Sequence, residues 1–273
     1  RDRFRKYSLS FLRKSIRVNT LKISVSELKK RLSNDWKLAP VPWCREGFWI
    51  KGKRRDVGNL AEHSLGYIYV QEAASMIPPV VLDPKPGEVV LDMAAAPGSK
   101  TTQIAQLMKN KGIIIANDVA HDRMAALGVN VQRCGVANAA LTMMKGHQIK
   151  GIEFDKILVD APCSGVGTIR KSVKTIYMWN PDMVRKMAAE QRRLVSHAFS
   201  LLKKGGTLVY SICTLEPEEN ERVVDFLVSR FENAKVKPIN LNIKRSPAVT
   251  EFEGNKYSSE VKKCLRIWPQ DND

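Results

Sequence analysis

The order of apolar and polar stretches along the chain predicts strands that alternate with helices over its larger part. From about residue 86 onward, short apolar runs have the length of buried strands, and longer mixed stretches have the length of helices. The predicted strands are Val89–Leu91, Ile113–Ala116, Ala139–Met143, Lys156–Val159 and Thr207–Tyr210, and the predicted helices are Thr101–Lys109, Asp122–Arg133, Pro181–Leu202 and one that starts near Glu218. This alternation predicts an α/β fold with a doubly wound, Rossmann-like parallel sheet.

The first 85 residues have a different pattern, which predicts a smaller α/β module. Its predicted elements are a helix at Ser26–Leu32, a strand through Gly47–Ile50 and a linker helix at Ser64–Met76 that packs against the rest of the chain. Proline and glycine cluster at 77–79 and 83–87, which indicates a break in the chain. We therefore expect an N-terminal domain at 1–85 and a sheet domain at 86–273.

The positive charge of the chain is concentrated at its N-terminal side. The sequence has 45 Lys+Arg against 28 Asp+Glu, a net charge of +17, and 17 of those basic residues but only 5 of the acidic ones lie in residues 1–60. A basic segment beside a nearly balanced body is typical of an enzyme with a polyanion-binding domain, and RNA or DNA is the leading polyanion. The simpler alternative is a solvated surface. A membrane is disfavoured, because no basic amphipathic helix has a clean apolar face.

The cysteines and histidines argue against disulfides and against a metal. The chain has five cysteines, widely spaced and without a Cys-x-x-Cys pair, which favours a reducing cytoplasm. The four histidines have no shared metal-ligand spacing. We therefore expect a cytoplasmic protein without metal, and we expect it to be a monomer.

Acidic and sulfur-containing residues follow the predicted strands where those strands end. Asp92 ends the first strand, Asp118 the second and Asp160 the fourth, while Cys163 and Cys213 follow the fourth and fifth. Ligands of parallel sheets bind outside the carboxyl ends of the strands. A lone cysteine is most often a small buried hydrophobe, but two at strand ends favour nucleophilic chemistry.

The loop after the first strand is made of small residues and indicates a nucleotide-like cofactor. Its backbone can approach a ligand closely, and Asp118 follows Gly98 by 20 residues, the spacing at which an acid binds ribose hydroxyls. Neither the dinucleotide nor the phosphate-loop glycine pattern is present, so an adenosine ligand that carries an amino acid, S-adenosylmethionine, fits better. The alternative is a helix start that merely packs tightly.

Several blocks in order resemble the Sun (nucleolar protein/Fmu) family of RNA (cytosine-5) methyltransferases. These blocks are Arg17–Lys22, Tyr69–Met76, Leu91–Thr101, Leu158–Gly165, Val209–Thr214 and Glu216–Glu221, and the resemblance spans roughly residues 16 to 269. The chain is most similar in kind to an archaeal transfer-RNA member. The resemblance implies S-adenosylmethionine as cofactor, RNA as partner with transfer RNA as the expected substrate, and methylation of cytosine carbon 5.

The resemblance also implies which residues carry the reaction. Cys213 would add to carbon 6 of the cytosine, Cys163 would help release the product, and Asp160 would hydrogen-bond the N3/N4 edge of the base and contact the cofactor. The other implied cofactor residues are Ala94, Ala95, Ala96, Pro97, Gly98, Ser99, Lys100 and Asp118.

Three alternatives stay open on the sequence. Lys145 stands where the family usually has an acid near the adenine, which leaves room for a non-catalytic RNA-binding protein on the same fold. Ribosomal RNA is the alternative substrate. A DNA cytosine methylase would use the Pro-Cys cysteine as nucleophile and carry a Glu-Asn-Val block, which this sequence lacks.

Overall fold

The computed structural model describes residues 2–53 and 56–272. In chain order the strands are β1 (Ser15–Val18), β2 (Trp36–Val41), β3 (Cys44–Gly52), β4 (Ile68–Val70), β5 (Val89–Asp92), β6 (Ile113–Asp118), β7 (Ala139–Met143), β8 (Phe154–Asp160), β9 (Leu202–Ser211), β10 (Glu251–Phe252) and β11 (Asn255–Lys256). The helices are α1 (Asp2–Ser8), α2 (Val25–Leu32), α3 (Ala61–Ser64), α4 (Ile77–Leu82), α5 (Ser99–Leu107), α6 (His121–Arg133), α7 (Lys174–Met178), α8 (Pro181–Ser200), α9 (Glu221–Arg230) and α10 (Pro269–Asn272).

The predicted doubly wound sheet is confirmed, with the strand order β7-β6-β5-β8-β9. Strand β5 pairs in parallel with both β6 and β8, and β6 pairs in parallel with β7. The chain moves outward from β5 to β7 on one side and continues on the other side with β8. The topological switch point therefore lies between β5 and β8, where such sheets bind their ligands.

The N-terminal module contains an antiparallel sheet of order β2-β3-β1-β4 with helix α2 beside it. Its core includes Ile16, Val18, Leu28, Phe48 and Ile68. Helix α2 starts with a capping box, in which Ser24 and Glu27 satisfy each other's backbone N–H groups. The predicted helix at Ser26–Leu32 and strand at Gly47–Ile50 are thus confirmed.

The predicted linker helix at Ser64–Met76 is wrong, because strand β4 lies in this range. Helix α3 ends at Ser64, and Gly66 follows with φ +72°, where a Cβ would meet the carbonyl oxygen of Arg133 at 1.9 Å. The β-branched and aromatic residues of β4 then pair with β1, which completes the N-terminal sheet.

The helix that precedes the predicted boundary is instead α4, in a stretch that the sequence pattern assigned to a break. Pro78 and Pro79 lie in its first turn, where a missing N–H costs nothing because no intrahelical acceptor would exist for it. Asp83 ends the helix in the left-handed conformation. The prolines here begin a helix rather than interrupt the chain.

The described residues form two compact units. We call them the sheet unit, from residues 13–160 and 198–210, and the helical unit, from residues 1–12, 161–197 and 211–273. The sheet unit holds both the antiparallel module and strands β5 to β8. The boundary at residues 85 and 86 stays a prediction.

Candidate active site

In the sheet unit, Asp92 ends β5 with a completely buried carboxylate. Thr101 donates a hydrogen bond of 2.7 Å to its Oδ2, while its Oδ1 is buried with no hydrogen-bond partner among residues 2–53 and 56–272. Burial raises the pKa of Asp92 to about 7. The end of the first predicted strand therefore carries an aspartate that titrates near neutral pH. One of its carboxylate oxygens has no hydrogen-bond partner among the described residues.

The loop after Asp92 turns sharply into helix α5 at Gly98. This glycine has φ +105°, and a Cβ on it would lie 3.1 Å from Cδ1 of Leu127. Only glycine adopts this conformation without strain, and the same lack of a side chain lets helix α6 pack closely. Ala95 and Ala96 are buried, whereas Pro97 is exposed. The loop is thus a fixed turn with helix N–H groups behind it.

Asp118, at the end of β6, fixes this loop. Its Oδ2 accepts a hydrogen bond of 3.1 Å from the backbone N–H of Ala96, and its Oδ1 accepts one of 3.1 Å from Ala120. The guanidinium of Arg123 lies 3.5 Å from Oδ2 and also donates to the carbonyl of Ala96. That Asp118 binds the ribose of the cofactor stays a prediction. The structure shows in addition that Asp118 contacts the backbone of the loop.

Asp160 and Lys100 form an ion pair in the sheet unit. Nζ of Lys100, in the first turn of α5, lies 2.6 Å from Oδ2 of Asp160, at the end of β8. Lysine and aspartate side chains are 14% and 32% exposed, so the pair is screened from bulk water but not sealed. Two residues that were both predicted to bind the cofactor, and that lie far apart in the sequence, are therefore in direct contact.

In the helical unit, the sulfur atoms of Cys163 and Cys213 lie 3.2 Å apart. Cys213 is exposed and Cys163 is half-buried. The hydrogen bond with Cys213, together with burial, raises the pKa of Cys163 well above that of an ordinary thiol. Cys163 consequently keeps its proton and can act as a hydrogen-bond donor to the Cys213 sulfur.

A buried acid that sequence reasoning did not single out holds the backbone beside these cysteines. Glu219 is completely buried, and its carboxylate accepts hydrogen bonds from the backbone N–H of Ser164 at 3.0 Å and from the side chain of Gln191 at 2.7 Å. Gln191 also donates to the carbonyl of Pro162, and the Ser164 hydroxyl is 2.7 Å from that of Thr214. The only sequence signal was the acidic run after Thr214.

Arg17 is a second buried charged residue that the sequence pattern did not single out. It is completely buried, and the hydrogen-bond acceptors that the described residues offer it are all uncharged. Its guanidinium donates to the carbonyl of Ser99 at 2.8 Å and to Thr102 Oγ1 at 2.8 Å, and also to Gln71 and Gln106. Burial lowers its pKa to about 10. An arginine between Ile16 and Val18 in a short apolar run was the available signal.

The described residues contain neither a metal-binding cluster nor a membrane-spanning helix. Within residues 2–53 and 56–272, no group of three or more His, Cys, Asp or Glu side chains could hold a metal ion. No helix in the described part of the chain is long and apolar enough to cross a membrane.

A parallel sheet with acidic strand ends and a small-residue loop at its switch point is the arrangement of a Rossmann-like methyltransferase. The chain belongs to the 16S rRNA methyltransferase RsmB/F family, whose model matches residues 79–273. The model of the N-terminal domain of 16S rRNA methyltransferase RsmF matches residues 1–73. These matches confirm the predicted family, the fold class and the enzyme class.

Two similar curated proteins, one named for transfer RNA and one for ribosomal RNA, support the same family. The tRNA (cytosine(49)-C(5))-methyltransferase of Pyrococcus abyssi is 52% identical over 100% of this chain and 88% of its own length. The ribosomal RNA small subunit methyltransferase F of Aliivibrio salmonicida is 47% identical over 95% of this chain and 55% of its own length. The chain thus spans about half the length of that ribosomal relative.

Solved structures share the whole architecture. A methyltransferase homolog protein from Pyrococcus horikoshii has a TM-score of 0.89 and 42% identity and covers 98% of this chain and 85% of its own. NSun6 from Pyrococcus horikoshii, solved with the S-adenosylmethionine analogue SFG, has a TM-score of 0.84 and 26% identity over 98% of this chain and 90% of its own.

Proposed function

We propose that this chain transfers a methyl group from S-adenosylmethionine to carbon 5 of a cytosine in RNA, and that the RNA is transfer RNA. The single observation that carries the reaction is the pair of sulfurs at 3.2 Å, one exposed and one kept protonated. The Pyrococcus abyssi relative, 52% identical over the full chain, supports the substrate class.

The residues at the switch point fit S-adenosylmethionine. The cofactor would lie against the loop 94–99 and the N-terminus of α5, with Lys100, Asp118 and Asp160 around it. The buried Oδ1 of Asp92, which has no hydrogen-bond partner within residues 2–53 and 56–272, gives this edge an additional acceptor beside the loop. When bound, S-adenosylmethionine supplies an electrophilic methyl group on a sulfonium.

Cys213 acts on the base because carbon 5 of cytosine is too weak a nucleophile by itself. The Cys213 thiolate forms a bond to carbon 6, and the electron pair of the 5,6 double bond becomes available at carbon 5 for the methyl group. Asp160 hydrogen-bonds the N3/N4 edge of the ring and favours its protonation as negative charge develops there. A water molecule or hydroxide then accepts the carbon-5 proton, the C–H electron pair re-forms the 5,6 double bond, and the bond from carbon 6 to sulfur breaks so that the Cys213 thiolate leaves.

Cys163 supports this sequence as a thiol. Its raised pKa keeps the proton on sulfur, so it can hydrogen-bond the Cys213 sulfur as that sulfur regains negative charge on leaving. A protonated neighbour makes the thiolate a better leaving group. The exposure of Cys213 and the raised pKa of Cys163 support the proposal that Cys213 attacks the base and Cys163 assists release.

The N-terminal segment would bind the RNA backbone. Residues 1–60 carry 17 Lys+Arg against 5 Asp+Glu, and phosphate contacts of this kind position an RNA without reading its bases. The target cytosine has to leave its base stack to reach a thiol, so a loop or an opened helix is the expected site. We propose residues 1–85 as this RNA-binding domain, in a monomeric, cytoplasmic protein whose five cysteines, all in the described part of the chain, form no disulfide.

Two substitutions test the reaction. Cys213→Ala should lower methyl incorporation into an unmodified transfer-RNA transcript by more than about a thousandfold, because no covalent adduct can form. Cys163→Ala should instead accumulate a protein–RNA adduct that survives a denaturing gel. Both are measured with labelled cofactor and with gel shifts of labelled RNA.

Cys264→Ala is the matched control, because this cysteine is not part of the sulfur pair and should leave both readouts unchanged. An adduct in Cys213→Ala would mean that the two roles are reversed. RNA binding without incorporation in the unsubstituted protein would favour the non-catalytic RNA-binding alternative.

Ribosomal RNA is the second candidate substrate, because the Aliivibrio salmonicida relative, 47% identical, is named for the small ribosomal subunit. Bisulfite sequencing of total RNA from cells with and without the protein separates the two. Cytosines that lose protection in transfer RNA support the proposal, and cytosines that lose it only in 16S RNA contradict it.

A further inference from the structure

A short stretch of the helical unit exposes apolar side chains that nothing in the described residues covers. We call residues 173–179, which contain helix α7, the apolar segment. Its exposed fractions are 57% for Val173, 52% for Ile176, 85% for Tyr177, 63% for Met178 and 42% for Trp179. Contiguous apolar surface of this kind on a folded protein usually marks a site where another molecule binds.

Two hydrogen bonds connect the chain on either side of helix α7 to residues 213–216. The backbone N–H of Gly167 donates to the carbonyl of Cys213 at 2.9 Å, and a Cβ on Gly167 would lie 2.8 Å from that oxygen. Nε1 of Trp179 donates to Oε1 of Glu216 at 2.8 Å. The exposed residues are therefore held next to the proposed nucleophile.

Basic residues accompany the apolar ones. Lys171 and Lys174 are exposed and precede Tyr177 by six and three residues. Arg170 donates a hydrogen bond of 2.7 Å to the carbonyl of Phe11, whose ring is 90% exposed. An exposed aromatic ring among cations is the composition of surfaces that bind single-stranded nucleic acid, where bases stack on rings and phosphates meet the charges.

We infer that Tyr177 and the apolar segment form a stacking surface for an unpaired base next to the target cytosine. A cytosine that leaves its stack exposes the faces of its neighbours, and a nearby aromatic ring compensates for the lost stacking. Trp179 is less suited to this role, because it is only half as exposed as Tyr177. The inference rests on the proposed RNA substrate and specifies which surface meets it.

The test compares Tyr177→Ala with Tyr177→Phe on an unmodified transfer-RNA transcript. Tyr177→Ala should raise the Kd for the transcript about tenfold, while Tyr177→Phe stays within about twofold, because the ring and not the hydroxyl stacks. The slope of log Kd against log salt should not change, because no phosphate contact is lost. Lys174→Ala should reduce that slope by about one.

Val129→Ala is the matched control. Val129 is a 61% exposed apolar residue on α6 in the sheet unit, so its removal should leave RNA binding unchanged. An RNA with 2-aminopurine beside the target cytosine gives a second readout that does not require turnover. Its fluorescence should be quenched on binding to the unsubstituted protein and to Tyr177→Phe, but not to Tyr177→Ala.

The outcomes separate this inference from the proposed function. If no RNA is methylated but Tyr177→Ala still weakens RNA binding and abolishes the quenching, the stacking surface stands and the methylation proposal fails. If methylation proceeds and Tyr177→Ala changes neither the Kd nor the fluorescence, the inference is overturned. It is also overturned if the unsubstituted protein sediments as a dimer, Tyr177→Ala as a monomer, and both bind RNA equally.

Discussion

The acidic edge of the sheet unit and the cysteine pair of the helical unit present their functional groups in opposite ways. Asp92 is completely buried and Asp118 is only 2% exposed, with backbone N–H groups or a hydroxyl bonded to them. Cys213, in contrast, is exposed. Groups that shape a small ligand's site are fixed before the ligand arrives, whereas a nucleophile for a base in a large RNA has to be reachable.

The same contrast separates the exposed sulfur of Cys213 from the sulfurs of three other cysteines. Burial raises the pKa of Cys44 to about 11 and that of Cys264 to about 12, and it also raises the pKa of Cys134. These three thiols behave as small buried or half-buried hydrophobes. Exposure, and not the presence of sulfur, distinguishes the proposed nucleophile.

The largest expected effect concerns thiol reactivity. With limiting iodoacetamide at pH 7.5, Cys213 should be alkylated about a thousandfold faster than Cys44, as measured by mass spectrometry of peptides over time. A rise in the pKa of Cys44 from 9.0 to about 11 lowers the fraction of Cys44 present as thiolate about a hundredfold. Burial of the sulfur slows the reaction further. Equal rates of alkylation at Cys213 and Cys44 would contradict the proposed difference between an exposed and a buried thiol.

The next effect concerns Arg17, which joins the N-terminal sheet to the start of α5. Arg17→Met should lower the free energy of unfolding by about 3 kcal/mol, because the carbonyl of Ser99 and the hydroxyl and amide groups around it lose their donor while buried. It should also weaken cofactor binding, since Ser99 begins the helix behind the loop. Urea unfolding and calorimetric titration with S-adenosylmethionine measure the two effects.

Arg13→Met is the matched control for Arg17→Met. Arg13 lies on the same stretch of chain but is exposed, with its guanidinium 4.1 Å from the ring centre of Trp49. Its substitution should leave cofactor binding unchanged. A similar loss of cofactor affinity in both variants would show that Arg17 has no specific role at the loop.

The smallest effect is a pH dependence at Asp92. Its folded-state pKa of about 7 lies above the ordinary value of 3.8, so the folded protein binds this proton more tightly and loses stability as the pH rises from about 4 to about 7. Asp92→Asn removes this loss and keeps an acceptor for Thr101. The variant should therefore gain about 2 kcal/mol relative to the unsubstituted protein between pH 5 and pH 8.

Asp155→Asn provides a control of opposite sign. Hydrogen bonds from the backbone N–H of Val89 and from Lys203 lower the pKa of Asp155, so its contribution to stability is present above the ordinary pKa and is lost as the pH falls. The variant should therefore be less stable than the unsubstituted protein at neutral pH, and the difference should shrink toward pH 3. Parallel pH profiles of the two variants would contradict the assigned shifts.

Most of the sheet could be predicted from the sequence because its strands are buried on both faces. The apolar runs at Val89–Leu91 and Ile113–Ala116 correspond to β5 and β6 within two residues at either end. The prediction failed at Ser64–Met76, where pairing of β4 with β1 decides the conformation. Strand pairing is a contact between distant residues, so a local pattern does not record it.

By itself, the sequence determined the order of strands and helices, the residue types at the strand ends, and the family to which the chain belongs. The tertiary structure alone decided which of these groups are buried and which are paired: the ion pair of Lys100 with Asp160, the protonated state of Cys163 beside Cys213, and the buried donors of Arg17. The physical reason is that protonation and hydrogen bonding depend on desolvation and on neighbours brought in from distant parts of the chain. Composition and periodicity predict the secondary structure in which a residue lies, whereas the neighbours of its side chain are determined only by the folded structure.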